Sequence, residues 1–369
     1  MRARLTAFIV IFQAILFAGH WFLYETLIRF LSPVDPFWTL KLQVALALLS
    51  VTFVPASLLA FRYSHLLVRV FYTISAVWLG ILSFCFFAAC SCWILYSFTR
   101  LFGIPVDRRA LAVVLFGFAI LASSYGIINA SRVRVKRITV KLPNLPESWR
   151  RRIAALVTDT HLGHVRNSGF LRLIVTVLSR LQPDVVFISG DLYDGTAVDL
   201  NPLTELWARF SAPLGTFFVT GNHEEFSSDT KYIRSIEQSR VRVLNNEMVT
   251  LDGMQIVGVR HHDSVDALRL KSILQAAGLD RGRASILLTH GPYHLPIVEQ
   301  EGISLQLCGH THGGQFFPFT WITSRVYRKF VYGLNRVGKL LVYTSSGAGT
   351  WGPPMRVGTK PEIVLIQFE

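Results

Sequence analysis

Five short blocks of Asp, His and Asn follow one another along the second half of this 369-residue chain. Each block comes directly after an apolar run rich in β-branched residues, which predicts that it lies where a buried strand ends and a loop begins. About seven side chains of metal-binding types would then meet at one rim of a sheet, an arrangement suited to a pair of divalent ions. The blocks are Asp159-Thr-His161, Gly190-Asp191-Leu-Tyr-Asp194, Gly221-Asn222-His223-Glu224, Thr289-His290-Gly291 and Gly309-His310-Thr-His312.

Metal-assisted hydrolysis is the chemistry that these residue types favour. The two ions of a dinuclear hydrolase lie about 3.5–4 Å apart, share one ligand and activate a water molecule between them. One carboxylate must be shared, and Asp191 is the natural bridging ligand. Asp supplies a hard anionic oxygen and neutral imidazole suits zinc, iron and related ions, so the residues predict two divalent metal ions and leave the choice among Mn, Fe and Zn open.

Strands and helices alternate from residue 153 onward, and this order must position the five blocks. The predicted strands cover 153–158, 184–189, 216–220, 285–289, 305–308, 340–344 and 362–368. The predicted helices cover 168–181, 202–210, 228–238, 265–277 and 293–300. Residues 241–259 predict short antiparallel strands around the Asp252-Gly253 turn. The order is typical of an α/β sandwich in which two mixed sheets are flanked by helices.

The first part of the chain is apolar enough to cross a membrane several times. The whole chain is 51% hydrophobic with a mean hydropathy of +0.41, and the excess is concentrated before residue 140. Four apolar stretches reach the roughly 18–20 residues that a spanning helix needs; they run approximately over 5–28, 38–61, 70–98 and 110–130. We therefore expect a multi-pass helical membrane region over 1–130, a basic juxtamembrane linker with a first strand over 131–152, and the α/β domain over 153–369.

Lysine and arginine counts predict how the four spans are oriented. With the N-terminus inside, eight basic residues flank the spans on the inner side and five on the outer side. An even number of spans returns the chain to the inner side, so we expect the α/β domain on the cytoplasmic face of the inner membrane. His20, Glu25 and Gln43 lie close to predicted span ends, where we expect them to snorkel toward the headgroups.

The net charge of +14 does not indicate a nucleic-acid partner. The first 140 residues contain 13 Lys and Arg against three acids, which accounts for +10 of that charge. This charge flanks apolar segments, where it sets topology and attracts lipid headgroups. The four cysteines have no zinc-knuckle spacing and suggest no disulfide framework. Membrane lipids are therefore the expected macromolecular partner.

The five blocks in this order resemble the calcineurin-like metallophosphoesterase superfamily, and all five are present across residues 159–312. The four spans fit its membrane-anchored branch, the transmembrane proteins with a metallophosphoesterase domain. Three later segments look like that branch as well: Gly309-His-Thr-His-Gly-Gly-Gln315, Gly349-Thr-Trp-Gly-Pro-Pro354 and Pro361-Glu-Ile. The resemblance implies a membrane-anchored, metal-dependent phosphohydrolase, either a phosphodiesterase or a phosphatase.

The resemblance also implies a role for each residue of the site. The first metal would be held by Asp159, His161 and His312. The second metal would be held by Asn222, His290 and His310. Asp191 would bridge the two ions, and a bridging hydroxide would attack phosphorus in line. His223 would face the phosphoryl oxygens and protonate the leaving group, and Asp194 would orient His223.

Two stretches depart from the family pattern. After His290 the chain reads Gly-Pro292-Tyr, without the acid that often follows, which should alter the rim of the site but keep the ligand. Arg260-His261-His262-Asp263 stands where a more acidic turn is expected.

A stretch of aromatic and basic residues directly follows His312 and bears on the substrate. Aromatic residues interleaved with basic ones suit the headgroup interface of a membrane. One hypothesis makes residues 315–332 a membrane-facing rim that admits a lipid-linked phosphoester, and the alternative is a packed cover loop of the domain. The rim residues in the first case are Phe316, Phe317, Trp321 and Arg325.

Two other functions remain open at this stage. A related family hydrolyses the pyrophosphate of UDP-2,3-diacylglucosamine in lipid A synthesis on the cytoplasmic membrane face, and the expected topology allows this, although no residue selects the nucleotide. A non-catalytic membrane receptor that kept the fold belongs to a different class of protein. Such a receptor would be expected to have lost ligands, whereas all seven and His223 are present.

Overall fold

The computed structural model describes residues 2–32, 35–226 and 231–369. The chain divides into two compact units. One consists of Met1–Ile128 and Gly352–Val357, and the other of Asn129–Trp351 and Gly358–Glu369.

The first unit is helical, and the apolar stretches of the sequence account for its helices. Among the described residues, four helical segments are long and apolar enough to cross a membrane. They are Thr6–Leu31, Pro36–Arg62, Leu66–Leu101 and Arg108–Ala130. The helices have the bounds Arg2–Leu31 (α1), Pro36–Ser50 (α2), Phe53–Arg62 (α3), Leu66–Leu101 (α4) and Arg108–Ala130 (α5). The prediction of four apolar membrane helices is confirmed. Pro33 and Val34, between the first two segments, lie outside the described part of the chain.

Two buried polar side chains in the helical unit are paired with tryptophans. The indole N–H of Trp78 donates to Nε2 of His20 at 2.9 Å, and His20 Nδ1 lies 2.8 Å from the carbonyl of Leu16. The indole N–H of Trp93 donates to the hydroxyl of Thr26 at 2.9 Å. His20 is therefore buried and satisfied inside the unit, which contradicts the expectation that it snorkels to the headgroups.

A short late segment of the chain, 352–357, packs within this helical unit. The backbone N–H of Arg356 donates to the carbonyl of Gly126 at 3.0 Å, and Gly126 lies in α5. The side chain of Met355 packs so closely on Gly80 of α4 that a Cβ there would lie 2.6 Å from its sulfur. Small residues allow this approach, as they do between membrane helices.

The second unit contains two six-stranded mixed sheets. The strands are Arg134–Val140 (β1), Ile153–Val157 (β2), Val185–Ser189 (β3), Thr216–Val219 (β4), Val241–Val243 (β5), Glu247–Leu251 (β6), Met254–Gly258 (β7), Ser285–Leu288 (β8), Leu305–Cys308 (β9), Gly333–Val337 (β10), Leu340–Thr344 (β11) and Glu362–Phe368 (β12). The first sheet has the order β1-β12-β2-β3-β4-β5, and the second has the order β10-β11-β9-β8-β7-β6. Strands β2 to β5 run parallel to one another in the first sheet, and β7 to β9 with β11 run parallel in the second.

The described residues of the second unit also contain eight helices. They are Ser168–Leu181 (α6), Asn201–Arg209 (α7), Asn222–Glu225 (α8), Lys231–Glu237 (α9), His261–Val265 (α10), Ala267–Ala276 (α11), Leu295–Gln300 (α12) and Phe319–Tyr327 (α13). Short 3-10 turns lie at Glu147–Trp149, His312–Gly314 and Arg328–Val331. The start of the helix expected at 228–238 falls on residues 228–230, which lie outside the described residues.

Alternation along the strands builds a layered core. In β3, Phe187 faces a cluster shared with residues of the second sheet such as Ile256 and Leu307. Its neighbours Val186 and Ile188 face the cluster that packs under α6, α7 and α9. Successive side chains of a strand point to opposite faces, so a strand buried on both faces reads as a continuous apolar run. The α/β sandwich expected from the sequence is confirmed.

The strand pattern differs from expectation in the middle and late parts of the unit. Residues 241–243 form β5, which pairs in parallel with β4 in the first sheet, so only β6 and β7 form the antiparallel hairpin around Asp252. The edge strand β10 was not expected, because its side chains alternate between exposed and half-buried positions and include Asn335 and Arg336. Helix α13 was not expected either, because none of its residues is buried.

Phe187→Ala tests the layered core just before the second block of the site. The Phe187 ring is fully buried and lies 6.2 Å, centroid to centroid, from that of Phe217. Removing a buried aromatic ring leaves a cavity, so we expect the free energy of unfolding to fall by about 3–5 kcal/mol. Urea titration of the detergent-solubilised protein, followed by far-UV circular dichroism, measures this change. Leu173→Ala on the exposed face of α6 is the control and should change stability by less than about 0.5 kcal/mol.

Candidate metal centre

All five blocks emerge where parallel strands end. Asp159 follows β2 by two residues, and Asp191 follows β3 by the same spacing. His290 and His310 follow β8 and β9 by two residues as well, and Asn222 follows β4 by three. Because ligand sites in open α/β sheets form outside the carboxyl ends of the strands, the two sheets present these side chains to one place.

The backbone of the site is held in an uncommon conformation. Five of the seven expected ligands have a positive φ, between 47° and 71°. They are Asp159, His161, Asp191, His310 and His312. A non-glycine residue in such a sparsely populated region costs on the order of 1–3 kcal/mol, and such strain concentrates at functional sites. Backbone strain at these five residues is thus the local free-energy cost of directing their side chains inward.

Close backbone approach at two glycines brings the loops together. A Cβ on Gly221 would overlap the carboxylate and the backbone nitrogen of Asp191. A Cβ on Gly309 would overlap the carboxylate of Asp159 and the hydroxyl of Thr158. Neither position has room for a side chain, which explains the glycine that opens each of these blocks.

The first group of ligand atoms comes from Asp159, His161 and His312. Nε2 of His161 lies 3.0 Å from Nε2 of His312, and the latter lies 3.3 Å from Oδ1 of Asp159. All three residues are buried, and their ligand atoms lie within 4.8 Å of one another. One carboxylate and two imidazoles at this spacing form a set that could hold a divalent ion.

The second group comes from Asp191, His290 and His310. Nε2 of His290 lies 3.1 Å from Oδ2 of Asp191 and 3.0 Å from Nδ1 of His310. Nδ1 of His290 lies 2.9 Å from the carbonyl of Ser189, so this nitrogen carries the proton and Nε2 is left for a ligand. Oδ2 of Asp191 also lies 3.7 Å from Nε2 of His161, which places that oxygen between the two groups.

Asn222 provides the test of whether these residues fit a metal. Its side-chain oxygen Oδ1 is buried and has no hydrogen-bond partner within the described part of the chain. Buried polar atoms are almost always paired, so an unpaired one needs an explanation such as an ion. An amide oxygen is a suitable ligand for a hard divalent cation. The donor set and this orphaned oxygen together fit a divalent metal ion, and the second position is the one that the resemblance implies for Asn222.

Electrostatics in the site also favour added positive charge. Burial raises the pKa of Asp159 to about 6. The charge of His290 acts to lower this pKa, whereas the charge of Asp191 acts to raise it. Burial opposes ionisation of Asp191 too, yet His290, His223 and His161 hold its pKa well below the ordinary value. Burial and His290 lower the pKa of His310 to about 3. Two buried carboxylates with mostly neutral imidazoles around them form a cradle that cations would stabilise.

His223 adjoins the two ligand groups, and its ring nitrogen, with ligand atoms of His161 and Asp194, forms a third cluster in which these atoms lie within 4.8 Å of one another. Its Nδ1 lies 2.8 Å from the main-chain carbonyl of Asp194, so Nδ1 donates a hydrogen bond and Nε2 is turned toward the site. Nε2 lies 3.9 Å from Oδ2 of Asp191. Burial lowers the pKa of His223, while the Asp191 carboxylate and the hydrogen bond to Asp194 act to raise it.

Asp194 contacts His223 differently from what the sequence suggested. The main-chain carbonyl of Asp194 orients His223, whereas its carboxylate lies 3.7 Å from Nδ1 of His161. Burial and the nearby Asp191 charge raise the pKa of Asp194 well above the ordinary value. The side chain of Asp194 therefore lies near the ring of His161, and its backbone carbonyl positions His223.

Glu224 fixes the loops that carry the ligands, a role that the sequence analysis did not assign. One of its oxygens accepts from the N–H of Tyr193 at 2.9 Å, and the other accepts from those of Asp191 and Gly221 at 3.0 and 2.8 Å. Burial and the charge of Asp191 raise the pKa of Glu224 to about 8, while the backbone donors act to lower it. In the sequence, the position of Glu224 in the Gly-Asn-His-Glu block was the feature that could have indicated this role.

A ring cluster beside the second ligand group was also missed. His261, in the stretch that departs from the family pattern, lies 5.6 Å from His290 and 6.0 Å from His310, measured between ring centroids. Tyr293 lies 5.9 Å from both His261 and His310. Burial and His290 lower the pKa of His261 to about 4, so this ring is a neutral wall of the site.

The expected rim residues fall into two groups. Phe316 is only 2% exposed and packs edge-on against Phe319 at 5.6 Å, so it is part of the packed interior and the rim assignment of this residue is wrong. Phe317 and Trp321 are 51% and 55% exposed. The Arg325 guanidinium lies over the Trp321 ring at 5.2 Å. The sequence could not separate the two adjacent phenylalanines, because their orientation depends on the turn into α13.

Comparisons with known proteins agree with this geometry. A family model described as calcineurin-like phosphoesterase matches residues 154–314. An uncharacterized metallophosphoesterase of Campylobacter jejuni is 34% identical over 267 residues, which cover 70% of this chain and 68% of that protein. A transmembrane protein with metallophosphoesterase domain from Danio rerio is 32% identical over 280 residues, which cover 70% of this chain and 62% of that protein.

Solved structures give a weaker likeness. A dimetal phosphatase from Danio rerio matches with a TM-score of 0.34 and 12% sequence identity, covering 60% of this chain and 100% of that chain. A likeness of this size carries no argument about the site.

Glu224→Gln tests whether the buried carboxylate holds the ligand loops in place. A glutamine amide has one acceptor oxygen and an NH2 group that cannot accept a hydrogen bond. The NH2 group would therefore face backbone N–H donors that had bonded to a carboxylate oxygen, at a cost of about 1–3 kcal/mol. We expect lower stability and a metal affinity reduced about 10- to 100-fold, as for other residues that support ligands. Thermal unfolding and metal titration of the purified protein measure the two effects. The exposed Glu205→Gln is the control, and unchanged metal affinity in Glu224→Gln would contradict this role.

Proposed function

Because this chain belongs to the calcineurin-like metallophosphoesterase family and is a membrane protein, we propose that it is a membrane-anchored phosphohydrolase that uses two divalent metal ions. The observation that carries the proposal is the pair of ligand groups with one oxygen of Asp191 between them. The unpaired Oδ1 of Asn222 supplies the remaining ligand of the second group. Mn, Fe and Zn all suit this set of carboxylate, amide and imidazole donors.

The residues divide the work of hydrolysis between them. When bound, the two ions supply an acidified water molecule as the nucleophile and positive charge for the phosphoryl oxygens. Asp159, His161 and His312 hold one position, and the carbonyl of Ser189 fixes the tautomer of His290 at the other. These side chains also keep bulk water away, because nearly all of them are buried.

His223 is the residue that would protonate the leaving group. Its Nε2 faces the site, because Nδ1 is engaged by the carbonyl of Asp194. From there a protonated ring donates a hydrogen bond to a phosphoryl oxygen and passes the proton to the departing oxygen. The Asp191 carboxylate favours that protonated form, since it acts to raise the pKa of His223.

The substrate that we propose is a membrane-proximal or lipid-linked phosphoester. The support is the half-exposed rim of Phe317 and Trp321 with Arg325 beside it, in a protein that has four candidate membrane helices. Aromatic and basic side chains together are suited to the headgroup layer. The inner-side excess of Lys and Arg supports a site on the cytoplasmic face of the membrane.

Asp191→Ala tests the proposed hydrolase. Loss of the shared carboxylate removes a ligand from both positions, so we expect metal content to fall and turnover of bis-p-nitrophenyl phosphate to drop by at least about a hundredfold. Metal analysis and a colorimetric assay on the full-length protein measure both quantities. Glu205→Ala removes an exposed acid from α7 and should change neither. A wild type without metal whose rate equals that of Asp191→Ala would instead support a non-catalytic receptor.

The rim is tested by replacing Phe317 and Trp321 together with Ser. Each substitution removes an exposed apolar ring that would enter the headgroup layer. We therefore expect turnover of an ester held in anionic lipid vesicles to fall about tenfold. Turnover of a soluble aryl phosphate should change less than about twofold. The same change at exposed Leu173 on α6 is the control. Equal losses on both substrates would contradict a membrane-facing rim.

A further inference from the structure

Two exposed aromatic rings lie beside His223 and have no part in the scheme above. The ring centroid of Phe226 lies 4.6 Å from that of His223, and the centroid of Trp351 lies 6.1 Å from it. Phe226 is 63% exposed and Trp351 is 57% exposed. We refer to Phe226 and Trp351 as the aromatic pair. Large apolar side chains exposed at the mouth of a polar site point to a ligand that covers them.

The position of Trp351 is fixed by its main chain. The side chain of Gln315 is buried and bonds both of its polar ends to that residue. Its Nε2 donates to the carbonyl of Trp351 at 2.8 Å, and its Oε1 accepts from the N–H of Trp351 at 2.9 Å. This two-point contact presents the indole beside His223 without restricting its exposed face.

The position of Phe226 is fixed through the residue before it. The carboxylate of Glu225 accepts hydrogen bonds from the hydroxyl of Thr220 and from the N–H of His262. Phe226 then follows α8 directly, three residues after His223. The short helix α8, which carries His223, therefore also sets the position of the Phe226 ring.

The place of the aromatic pair indicates which part of a substrate meets it. The two ligand groups receive the phosphoryl oxygens, and Nε2 of His223 faces the departing oxygen. The group bonded to that oxygen must therefore leave past the rings that adjoin His223. Aromatic faces of this kind gain free energy by covering hydrocarbon, at about 25 cal/mol per Å² of apolar surface removed from water.

The surroundings favour hydrocarbon over a charged or nucleotide group. Gln315, which holds Trp351, is followed within six residues by the half-exposed residues Phe317, Phe319 and Trp321. Further apolar side chains are therefore exposed on the stretch of chain that follows the residue holding Trp351. Recognition of a nucleobase would instead rely on hydrogen bonds to its polar edge as well as on stacking.

On this basis we propose that the aromatic pair is a subsite for an apolar leaving group, the hydrocarbon part of a phosphoester. The inference rests on the proposed phosphohydrolase function and adds the chemical class of the group that departs. Either a membrane lipid or a soluble amphiphile carries such a group.

The test compares two leaving groups that differ in chain length alone. Ethyl and octyl phosphate esters, each as the monoester and as the methyl diester, have alcohols of nearly equal acidity. Full-length protein in nanodiscs, loaded with Mn²⁺, is assayed for kcat and KM with each ester. Phe226→Ala and Trp351→Ala should lower kcat/KM for the octyl ester about tenfold, mainly through KM, and change the ethyl ester less than about twofold.

Further variants separate the subsite from a general effect on the fold. Trp351→Phe and Phe226→Leu keep an apolar side chain and should restore most of the octyl preference. Leu268→Ala removes an exposed apolar residue of α11 and should change neither ester. Equal losses on ethyl and octyl esters, or a wild-type preference for a nucleoside leaving group over octyl, would overturn the subsite.

A binding measurement keeps this inference distinct from the hydrolase itself. Octyl and ethyl phosphonates cannot be hydrolysed, and calorimetry gives their affinities for the Mn²⁺-loaded protein. If the wild type hydrolyses no ester, the proposed function fails, while tighter octyl binding that is lost in Trp351→Ala still supports the subsite. Equal binding of both phosphonates by the wild type overturns it. Turnover of a long-chain ester held in vesicles identifies a membrane lipid as the source, and turnover of the dispersed ester alone identifies a soluble amphiphile.

Discussion

The burial of two carboxylates among imidazoles is the constraint on which the rest of the site depends. Asp159 and Asp191 are almost wholly removed from water, and an ionised carboxylate in such a place is stable only when it is compensated. Part of the compensation comes from backbone N–H groups of the folded chain itself. The N–H of His223 donates to Asp191, and the N–H of His310 donates to Asp159. The remainder is positive charge, which the two groups of ligand atoms are arranged to receive.

That constraint accounts for the unusual backbone around the site. Side chains from two sheets must converge within a few ångströms, so their loops cross close to one another. The close approach requires glycine at Gly221 and Gly309, and the convergence requires positive φ at most ligands. Glu224 secures the arrangement, because a single buried carboxylate ties together the backbone of the second and third blocks. The stability of the double sheet sustains this local strain.

Function at a membrane follows from features that lie outside the ligand set. The buried side chains of His20 and Thr26 in the helical unit are hydrogen-bonded to tryptophans, and four helical segments of the described residues are apolar enough to cross a membrane. The α/β unit has exposed aromatic side chains in α13 and beside His223. Exposed rings next to buried charge suit a substrate that is polar at phosphorus and apolar elsewhere.

The sequence by itself determined the chemistry and the order of the elements. Ligand types, the apolar run before each block and the four long apolar stretches are local properties, and local periodicity is enough to read them. Tertiary structure alone decided which groups meet. It turned Phe316 inward while Phe317 stayed outside, gave His223 a main-chain rather than a carboxylate partner, and brought His261 and Trp351 to the site. Such contacts join residues far apart in the chain, and their geometry depends on how two sheets and their loops pack, which no local pattern encodes.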